Sequence, residues 1–171
     1  MRPIEPDDRD DLADRLQQDW GSTNVATRGR LVDASVLPGF VAMDFGEWLG
    51  YATYELRDGE LEISAIASES RGRGAGSALL AACVRAAIDA GATRVWLVTT
   101  NDNTATLRFY QRRGFILVAL RAGAVNEARQ SLKPEIGLFG VDDIPIRDEI
   151  ELELPRDTWP QFLEKYEWPS T

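Results

Sequence analysis

Histidine is absent from this chain, and cysteine occurs only once. Without histidine there can be no Ser-His or Cys-His catalytic pair and no histidine-ligated metal site. A single cysteine, Cys83, excludes an internal disulfide and agrees with a reducing cytoplasm. Cys83 falls on the apolar face of a predicted helix and is expected to be a small core residue. We therefore expect a cytoplasmic protein that uses no metal.

Basic residues are also scarce, with 19 Lys and Arg against 28 Asp and Glu, for a net charge of −9. Nucleic-acid binding requires a basic face, so we expect no nucleic-acid partner. The chain shows neither a signal peptide nor an apolar run long enough to span a membrane, and we expect no membrane partner. An acidic surface suits a cationic partner such as an amine, although it also promotes solubility alone.

A glycine-rich stretch organises the rest of the chain. A predicted strand over 60–67 leads into a turn with Gly72, Gly74 and Gly76 at alternate positions, and a long apolar-periodic helix follows. Glycine permits positive φ and close approach of a ligand, and the helix N-terminus offers unpaired N–H groups to an anion. Arg71 and Arg73 add positive charge. Taken alone, the stretch predicts either a phosphate site or a flexible connection.

Two common phosphate motifs do not match this turn. A Walker loop requires a Gly-Lys-Ser/Thr ending, and the turn contains no lysine. A dinucleotide fingerprint requires Gly-x-Gly-x-x-Gly after a first strand, whereas here the third glycine comes one position too early. The turn therefore needs a different explanation.

The N-terminal third is predicted from periodicity and turn residues. A short strand over 2–5 precedes a helix that begins near Pro6, with Asp7 as its N-cap and Leu12, Leu16 and Trp20 on its buried face. The stretch 22–38 is expected to be irregular, with a short helix around 33–37 and no strand before the triplet that begins at Arg28. Hairpin turns at 44–47 and 57–60 predict a three-stranded antiparallel meander. Alternation in its third strand predicts one face made of Leu61, Ile63, Ala65 and Ala67.

The second half alternates helices and strands. The helix after the glycine turn ends near Gly91, and the apolar run 94–100 is typical of a buried strand parallel to the strand before the turn. A helix capped by Asn101, Asp102 or Asn103 follows and ends near Gly114. A strand is then predicted over 115–121.

Two motifs in this order resemble those of the GNAT superfamily of N-acetyltransferases. Arg71-Gly-Arg-Gly-Ala-Gly76 matches the acyl-CoA motif Arg/Gln-x-x-Gly-x-Gly/Ala. Asn103, Phe109-Tyr110 and Gly114-Phe115 match the second motif. The resemblance covers roughly residues 2–155. It implies a single α/β (α+β) domain with a mixed, mostly antiparallel seven-stranded sheet that is splayed at its centre and flanked by helices.

The resemblance also implies acetyl-CoA as cosubstrate and assigns its contacts. The pantetheine arm would bond the backbone around Ile66 and Ala67, and Asn103 would contact the pantetheine or order the loop. Tyr110 would contact the cofactor and protonate the departing thiolate. The pyrophosphate would be held by backbone N–H groups of the turn, namely Arg71, Gly72, Arg73, Gly74, Ala75, Gly76 and Ser77.

The candidates for the general base are glutamates in the predicted strands. An amine with a pKa near 10 must lose a proton before it attacks a thioester. Glu62 on the central strand is our candidate for that role, and Glu47 and Glu60 are alternatives. Exposed glutamates on strands are often simply solvated and have no catalytic role. Without the resemblance, Tyr110 would be interpreted as a half-buried aromatic residue on a helix.

The C-terminal part departs from the family pattern. In many members the last two strands form a close hairpin, whereas here a segment over 122–147 intervenes, with a short helix expected over 125–132. We expect residues 1–155 to form the acetyltransferase domain and the tail 156–171 to pack on it, a homodimer contact being the alternative. The intervening segment is expected to help form the wall of the acceptor site.

The expected function is acetyl-CoA-dependent N-acetyl transfer to a primary amine, on a small molecule or a peptide N-terminus. The alternatives are a non-catalytic acyl-CoA-binding or sensor module on the same fold and an unrelated phosphate-binding protein.

Overall fold

The computed structural model describes residues 1–68 and 74–168. Arg71, Gly72 and Arg73 lie outside the described residues. The described helices are α1 (Arg9–Trp20), α2 (Ala75–Asp89), α3 (Thr104–Gln111), α4 (Ala124–Ser131) and α5 (Trp159–Tyr166). The strands are β1 (Arg2–Pro3), β2 (Asn24–Thr27), β3 (Arg30–Asp33), β4 (Gly39–Asp44), β5 (Glu47–Arg57), β6 (Glu60–Ser68), β7 (Arg94–Thr100), β8 (Ile116–Arg121) and β9 (Glu149–Leu154).

Seven of these strands form one sheet in the order β1-β4-β5-β6-β7-β9-β8. Within the described residues, β6 and β7 form its one parallel pair, and its other pairs are antiparallel. α2 connects β6 to β7 and packs on β4, β5 and β6. The predicted mixed, mostly antiparallel seven-stranded sheet is confirmed.

The sheet splits between β6 and β7. Their parallel ladder runs only from Glu60↔Arg94 to Ile63↔Leu97, although β6 continues to Ser68 and β7 to Thr100. Beyond Ile63, β6 is paired with β5 alone in the part of the chain that the structure describes. One edge of β6 is therefore left without a strand partner at the centre of the sheet.

A β-bulge at Ser64 explains where the split begins. The β5–β6 register shifts between Thr53↔Ala65 and Tyr54↔Ile63, so Ser64 is the extra residue. Leu61 and Ile63 pack on the α2 side, but Ala65 packs on the opposite side with α1. The predicted single face containing Leu61, Ile63, Ala65 and Ala67 is therefore wrong, because strict alternation stops at the bulge.

The stretch 22–38 is more regular than its sequence indicates. β2 and β3 form a hairpin joined by Arg28 and Gly29, both at positive φ. The helix expected around 33–37 is absent, and a strand does precede the Arg28 triplet. A turn with two left-handed residues is the kind that matches the twist of paired strands, and Arg28 adopts this conformation without being glycine. The hairpin lies over the sheet near the split.

The N-terminal helix begins differently from the prediction. A 3-10 turn over Pro6–Asp8 precedes α1, and the carboxylate of Asp8, not Asp7, accepts the backbone N–H of Glu5. Leu12 and Leu16 are fully buried as predicted, but Trp20 is 43% exposed. Gly21 ends the helix at positive φ as expected.

Aromatic residues of α5 complete the core on the α2 side of the sheet. Trp159 and Phe162 are buried in the cluster that contains α2, β6 and β7 residues, and Phe162 contacts Phe115. α4 lies in the segment between β8 and β9, close to its predicted position. In the described chain, no helix combines the length and apolar character needed to cross a bilayer.

Candidate active site

Two cavities meet at the split between β6 and β7. The first, of about 780 Å³, lies at the N-terminus of α2, and the second, of about 480 Å³, lies toward β7, β9 and the segment after α4. Ile66, Thr106 and Tyr110 line both cavities. The split therefore forms a passage with Tyr110 at its midpoint.

The free edge of β6 forms one wall of the first cavity. Ile66, Ala67 and Ser68 line this cavity, and the β6–β7 ladder ends before them. Their backbone groups on that edge have no strand partner, so they can pair with the amides of an extended ligand. The resemblance places the pantetheine arm here.

The N-terminus of α2 forms the opposite wall, with Gly74, Ala75, Gly76 and Ser77 facing the cavity. Gly74 is the N-cap at φ 80° and gives no side-chain cap to the first helical N–H groups. A Cβ at Gly76 would lie 3.2 Å from Phe109 Cζ and 3.3 Å from Ser68 Oγ, so glycine fits this close packing. Uncapped N–H groups at the positive end of a helix dipole can hold a phosphate.

Arginines from α3 and the residues after it make the first cavity cationic. Arg108, Arg112 and Arg113 line it, and none of the described lining residues is acidic. Arg113 donates to Ser77 Oγ at 2.8 Å, and its guanidinium lies 3.5 Å from the Phe109 ring centroid. In a chain of net charge −9, this concentration of positive charge favours a polyanionic ligand such as a nucleotide phosphate.

The Tyr110 ring is held in the core, and the residue lines both cavities. The residue is 4% exposed, and its ring contacts Phe109 and Phe115. Burial raises the pKa of Tyr110 above its ordinary value, with the nearby Cys83 thiol adding to the effect. The phenol is therefore protonated at neutral pH, which is the state that a general acid requires.

The second cavity has the opposite charge. Among the described residues, its charged lining consists of four carboxylates and one cation, namely Asp19, Asp102, Glu135, Glu149 and Lys133. Lys133 donates to the backbone oxygen of Asn24 at 2.6 Å, and burial lowers its pKa. A cavity with excess negative charge favours a cationic ligand.

Asn103 lies at the N-cap of α3 and lines the second cavity. Its side chain makes no capping hydrogen bond, although its backbone oxygen accepts the N–H of Leu107. The structure brings Asn103 close to the split, between Thr100 at the end of β7 and the start of α3.

Glu62 does not share a cavity with Tyr110 in the described structure. It lines a separate cavity of about 370 Å³ and is 4% exposed. Its two oxygens accept hydrogen bonds from Thr27 Oγ1 at 2.5 Å and Arg30 Nη2 at 2.9 Å. Burial raises the pKa of Glu62, opposed by the bond from Thr27. The β2–β3 hairpin thus covers this carboxylate.

The sequence also offered two alternative bases. Of these, Glu60 lies 3.4 Å from Arg94, and Glu47 is exposed at the start of β5.

Several residues of the site are not apparent in the sequence. Arg113 follows a helix and Glu149 begins an alternating strand, and both patterns are typical of solvated faces. In the structure Glu149 is 3% exposed and Asp102 is 5% exposed. The available signal was the three glutamates that alternate with apolar residues in β9. This pattern is unusual for a strand that has a partner strand on each side.

No group of three His, Cys, Asp or Glu side chains suited to hold a metal ion is found in residues 1–68 and 74–168.

Comparison with known proteins shows which family the sequence matches. The profile described as the acetyltransferase (GNAT) family matches residues 2–115. The protein YdhI of Bacillus subtilis (strain 168) is 37% identical over 140 residues, which cover 81% of this chain and 87% of YdhI.

Solved structures share the fold at lower sequence identity. A GNAT family acetyltransferase from Elizabethkingia anophelis with acetyl-CoA bound superposes with a TM-score of 0.62 at 20% identity, covering 90% of this chain and 95% of that one. An acetyltransferase from Bacillus subtilis in complex with CoA gives a TM-score of 0.58 at 20% identity, covering 84% and 82%.

Proposed function

This chain belongs to the GNAT acetyltransferase family, and we propose that it transfers the acetyl group of acetyl-CoA to a primary amine of a small molecule or a peptide N-terminus. The observation that carries the proposal is the passage through the split. A cationic cavity at a helix N-terminus and an acidic cavity meet at one protonated phenol.

The first cavity fits the cosubstrate. Its three arginines and the uncapped α2 N-terminus suit the phosphates, and the free β6 edge at Ile66 and Ala67 suits the amides of the pantetheine arm. We propose that Gly74, Ala75, Gly76 and Ser77, together with Arg71, Gly72 and Arg73, hold the pyrophosphate. Asn103, at the far end of the split, would contact the pantetheine.

The chemistry requires protons to leave the amine nitrogen and one proton to reach the sulfur. The amine nitrogen attacks the thioester carbonyl, so a C–N bond forms and the C–S bond breaks. Negative charge that grows on the carbonyl oxygen can be stabilised by a free N–H of β6. We propose that Tyr110 donates its proton to the departing sulfur, a step that commonly contributes about 10²–10⁴-fold.

A thiol-release assay tests the proposal. Purified protein is mixed with acetyl-CoA and four primary amines: spermidine, glucosamine, tyramine and glycinamide. We expect release of free CoA thiol that depends on one of the amines and a product that is heavier by one acetyl group. If CoA binds but no amine in this panel or a peptide panel gives thiol release, the chain is a binding module and the proposal is wrong.

A further inference from the structure

The second cavity contains one carboxylate whose bonding is incomplete. Asp102 accepts hydrogen bonds on both oxygens, from Thr100 Oγ1 and from the N–H of Val141. Asp19 is exposed and accepts the Tyr51 hydroxyl, and Glu135 is exposed. Glu149 is buried, and among the described residues it accepts only the N–H of Arg28, at 3.3 Å. A nearly desolvated carboxylate with one long hydrogen bond favours a further cationic partner.

The strand ladders show why Glu149 has no ion pair in the described chain. It pairs with Thr100 of β7 on one side and with Arg121 of β8 on the other. The Arg121 guanidinium, however, extends to Glu151, where Nη2 lies 2.5 Å from Oε2. The cation that is nearest along the ladder is therefore used by a different carboxylate.

Glu149 also lies where a third cavity joins the second. A cavity of about 490 Å³ lies between α4 and the Arg28–Gly29 turn, and Glu149 and Ala128 line both cavities. An acceptor can therefore place its amine beside Glu149 and its remaining atoms along α4. The segment inserted between β8 and β9 supplies this wall.

From this position we propose that Glu149 binds the ammonium group of the acceptor and removes its proton, which makes it a catalytic residue of the acetyl transfer. The inference rests on the proposed function and adds to it that the acceptor binds as a cation. It replaces Glu62 as base, because Glu62 is held by Thr27 and Arg30 outside the cavity that contains Tyr110.

The protons balance in this scheme. The ammonium gives one proton to Glu149, which later returns it to solvent, and the neutral amine then attacks. The nitrogen loses a second proton to solvent as the amide forms, while the sulfur takes a proton from Tyr110. Tyr110 is reprotonated from solvent, so one proton ends on the CoA thiol and one in water.

The surroundings of Glu149 suit a base that acts near neutral pH. Burial raises the pKa of Glu149, opposed by the N–H and the charge of Arg28 and by the charge of Arg121, while Glu151 raises it further. The other charged groups that line its two cavities are Asp19, Asp102, Lys133 and Glu135 in the second and Glu127 in the third. An elevated pKa brings the carboxyl closer to the operating pH of a general base.

The test compares three glutamine variants with the wild type, using whichever amine of the panel is accepted. Glu149→Gln removes the base while keeping its volume. Glu153→Gln is the matched control, because Glu153 lies on the same strand and the same face but lines none of the cavities described above. Glu62→Gln tests the other carboxylate. Each variant is checked for melting temperature and CoA affinity, and kcat/KM is measured across pH.

We expect Glu149→Gln to lower kcat/KM by about 10²–10⁴-fold at neutral pH without changing CoA affinity. The loss should shrink as the pH approaches the pKa of the accepted amine, because a neutral amine needs no base. The wild type should lose activity on acidification as Glu149 becomes protonated, whereas the activity of Glu149→Gln should follow the fraction of neutral amine at every pH. Glu153→Gln should match the wild type.

Three results would overturn the inference: wild-type activity in Glu149→Gln at neutral pH, a loss that is equal at every pH, or a pH-dependent loss in Glu62→Gln instead. Absence of thiol release from the wild type with every amine is a different outcome, since it contradicts the proposed function itself.

Discussion

Arg121 and Glu149 are cross-strand partners in the β8–β9 ladder, yet the guanidinium of Arg121 hydrogen-bonds Glu151 instead. Glu151 also accepts Arg94 at 2.6 Å, and Arg28 lies 3.8 Å from it. Two glutamates two residues apart on one strand therefore differ in environment. Glu151 is neutralised by three arginines, whereas Glu149 is left facing a cavity.

We predict that Glu151→Ala destabilises the fold by about 3 kcal/mol, because the partly buried Arg94 and Arg121 each lose a charge-assisted hydrogen bond to this buried carboxylate. Glu153→Ala should lower the free energy of unfolding by less than about 1 kcal/mol. Glu153 also pairs with Arg94, but it is more exposed than Glu151. Urea unfolding measures both. Equal losses in the two variants would show that Glu151 has no special role.

The same carboxylate should give stability a pH dependence. Burial alone raises the pKa of Glu151, but hydrogen bonds from Arg94 and Arg121 outweigh it and hold the pKa below the ordinary 4.5. A lowered folded-state pKa gives stability that is fully present above the unfolded value and is lost as pH falls through the folded value. The unfolding free energy of the wild type should therefore fall below about pH 4.5, and that of Glu151→Gln should fall less steeply. Parallel curves would contradict this assignment.

Gly50 and Gly39 offer a matched test of the free β6 edge. A Cβ at Gly50 would collide with the Ala67 oxygen, and one at Gly39 with the Ala52 oxygen. In both alanine variants, overpacking should lower the free energy of unfolding by about 1–3 kcal/mol. Only Gly50→Ala should also weaken CoA binding, because it displaces the strand edge that lines the first cavity. Isothermal titration with CoA measures the difference, and equal CoA affinities in the two variants would argue against the pantetheine lying on β6.

The cationic cavity predicts a salt-sensitive affinity for CoA. Replacing exposed Arg108 and Arg112 by glutamine should weaken CoA binding by about 1 kcal/mol for each, or roughly fivefold, and reduce its dependence on salt. Arg85→Gln is the control, because Arg85 is an exposed arginine of α2 that pairs with Glu167 outside the cavity. Unchanged affinity in the double variant would show that the phosphates bind elsewhere.

Tyr110→Phe separates catalysis from binding. The ring stays in the core, so we expect the melting temperature and CoA affinity to remain at wild-type values. Loss of the hydroxyl should lower kcat by about 10²–10⁴-fold. Unchanged turnover would mean that the thiolate leaves without help from this phenol.

Local rules predicted the order of strands and helices well, because turns such as Asp58-Gly59 and Asp44-Phe45-Gly46-Glu47 are strong signals. They failed where tertiary contacts decide. The bulge at Ser64 places the later side chains of β6 on the opposite face from the one that alternation predicts, and the local sequence pattern does not indicate it. The β2–β3 hairpin was missed because its turn places Arg28 in a conformation usually taken by Gly, Asn or Asp.

The site was predicted in part. Motifs in the sequence indicated Gly74, Gly76 and Tyr110, and the structure places all three on the first cavity. Glu149 was not found, because a strand of alternating glutamates predicts a solvated face. Only the folded arrangement shows that the β2–β3 hairpin and α4 cover that face. The exclusion of Glu62 from the cavity of Tyr110 likewise depends on Thr27 and Arg30, which are distant in sequence.

A crystal structure with CoA bound tests the central claim most directly, since it locates both ends of the passage at once. We predict the pyrophosphate on the N–H groups of Ala75, Gly76 and Ser77, the pantetheine along Ile66 and Ala67, and the sulfur within about 3–3.5 Å of the Tyr110 hydroxyl. A pyrophosphate bound away from α2, or a sulfur out of reach of Tyr110, would contradict the account.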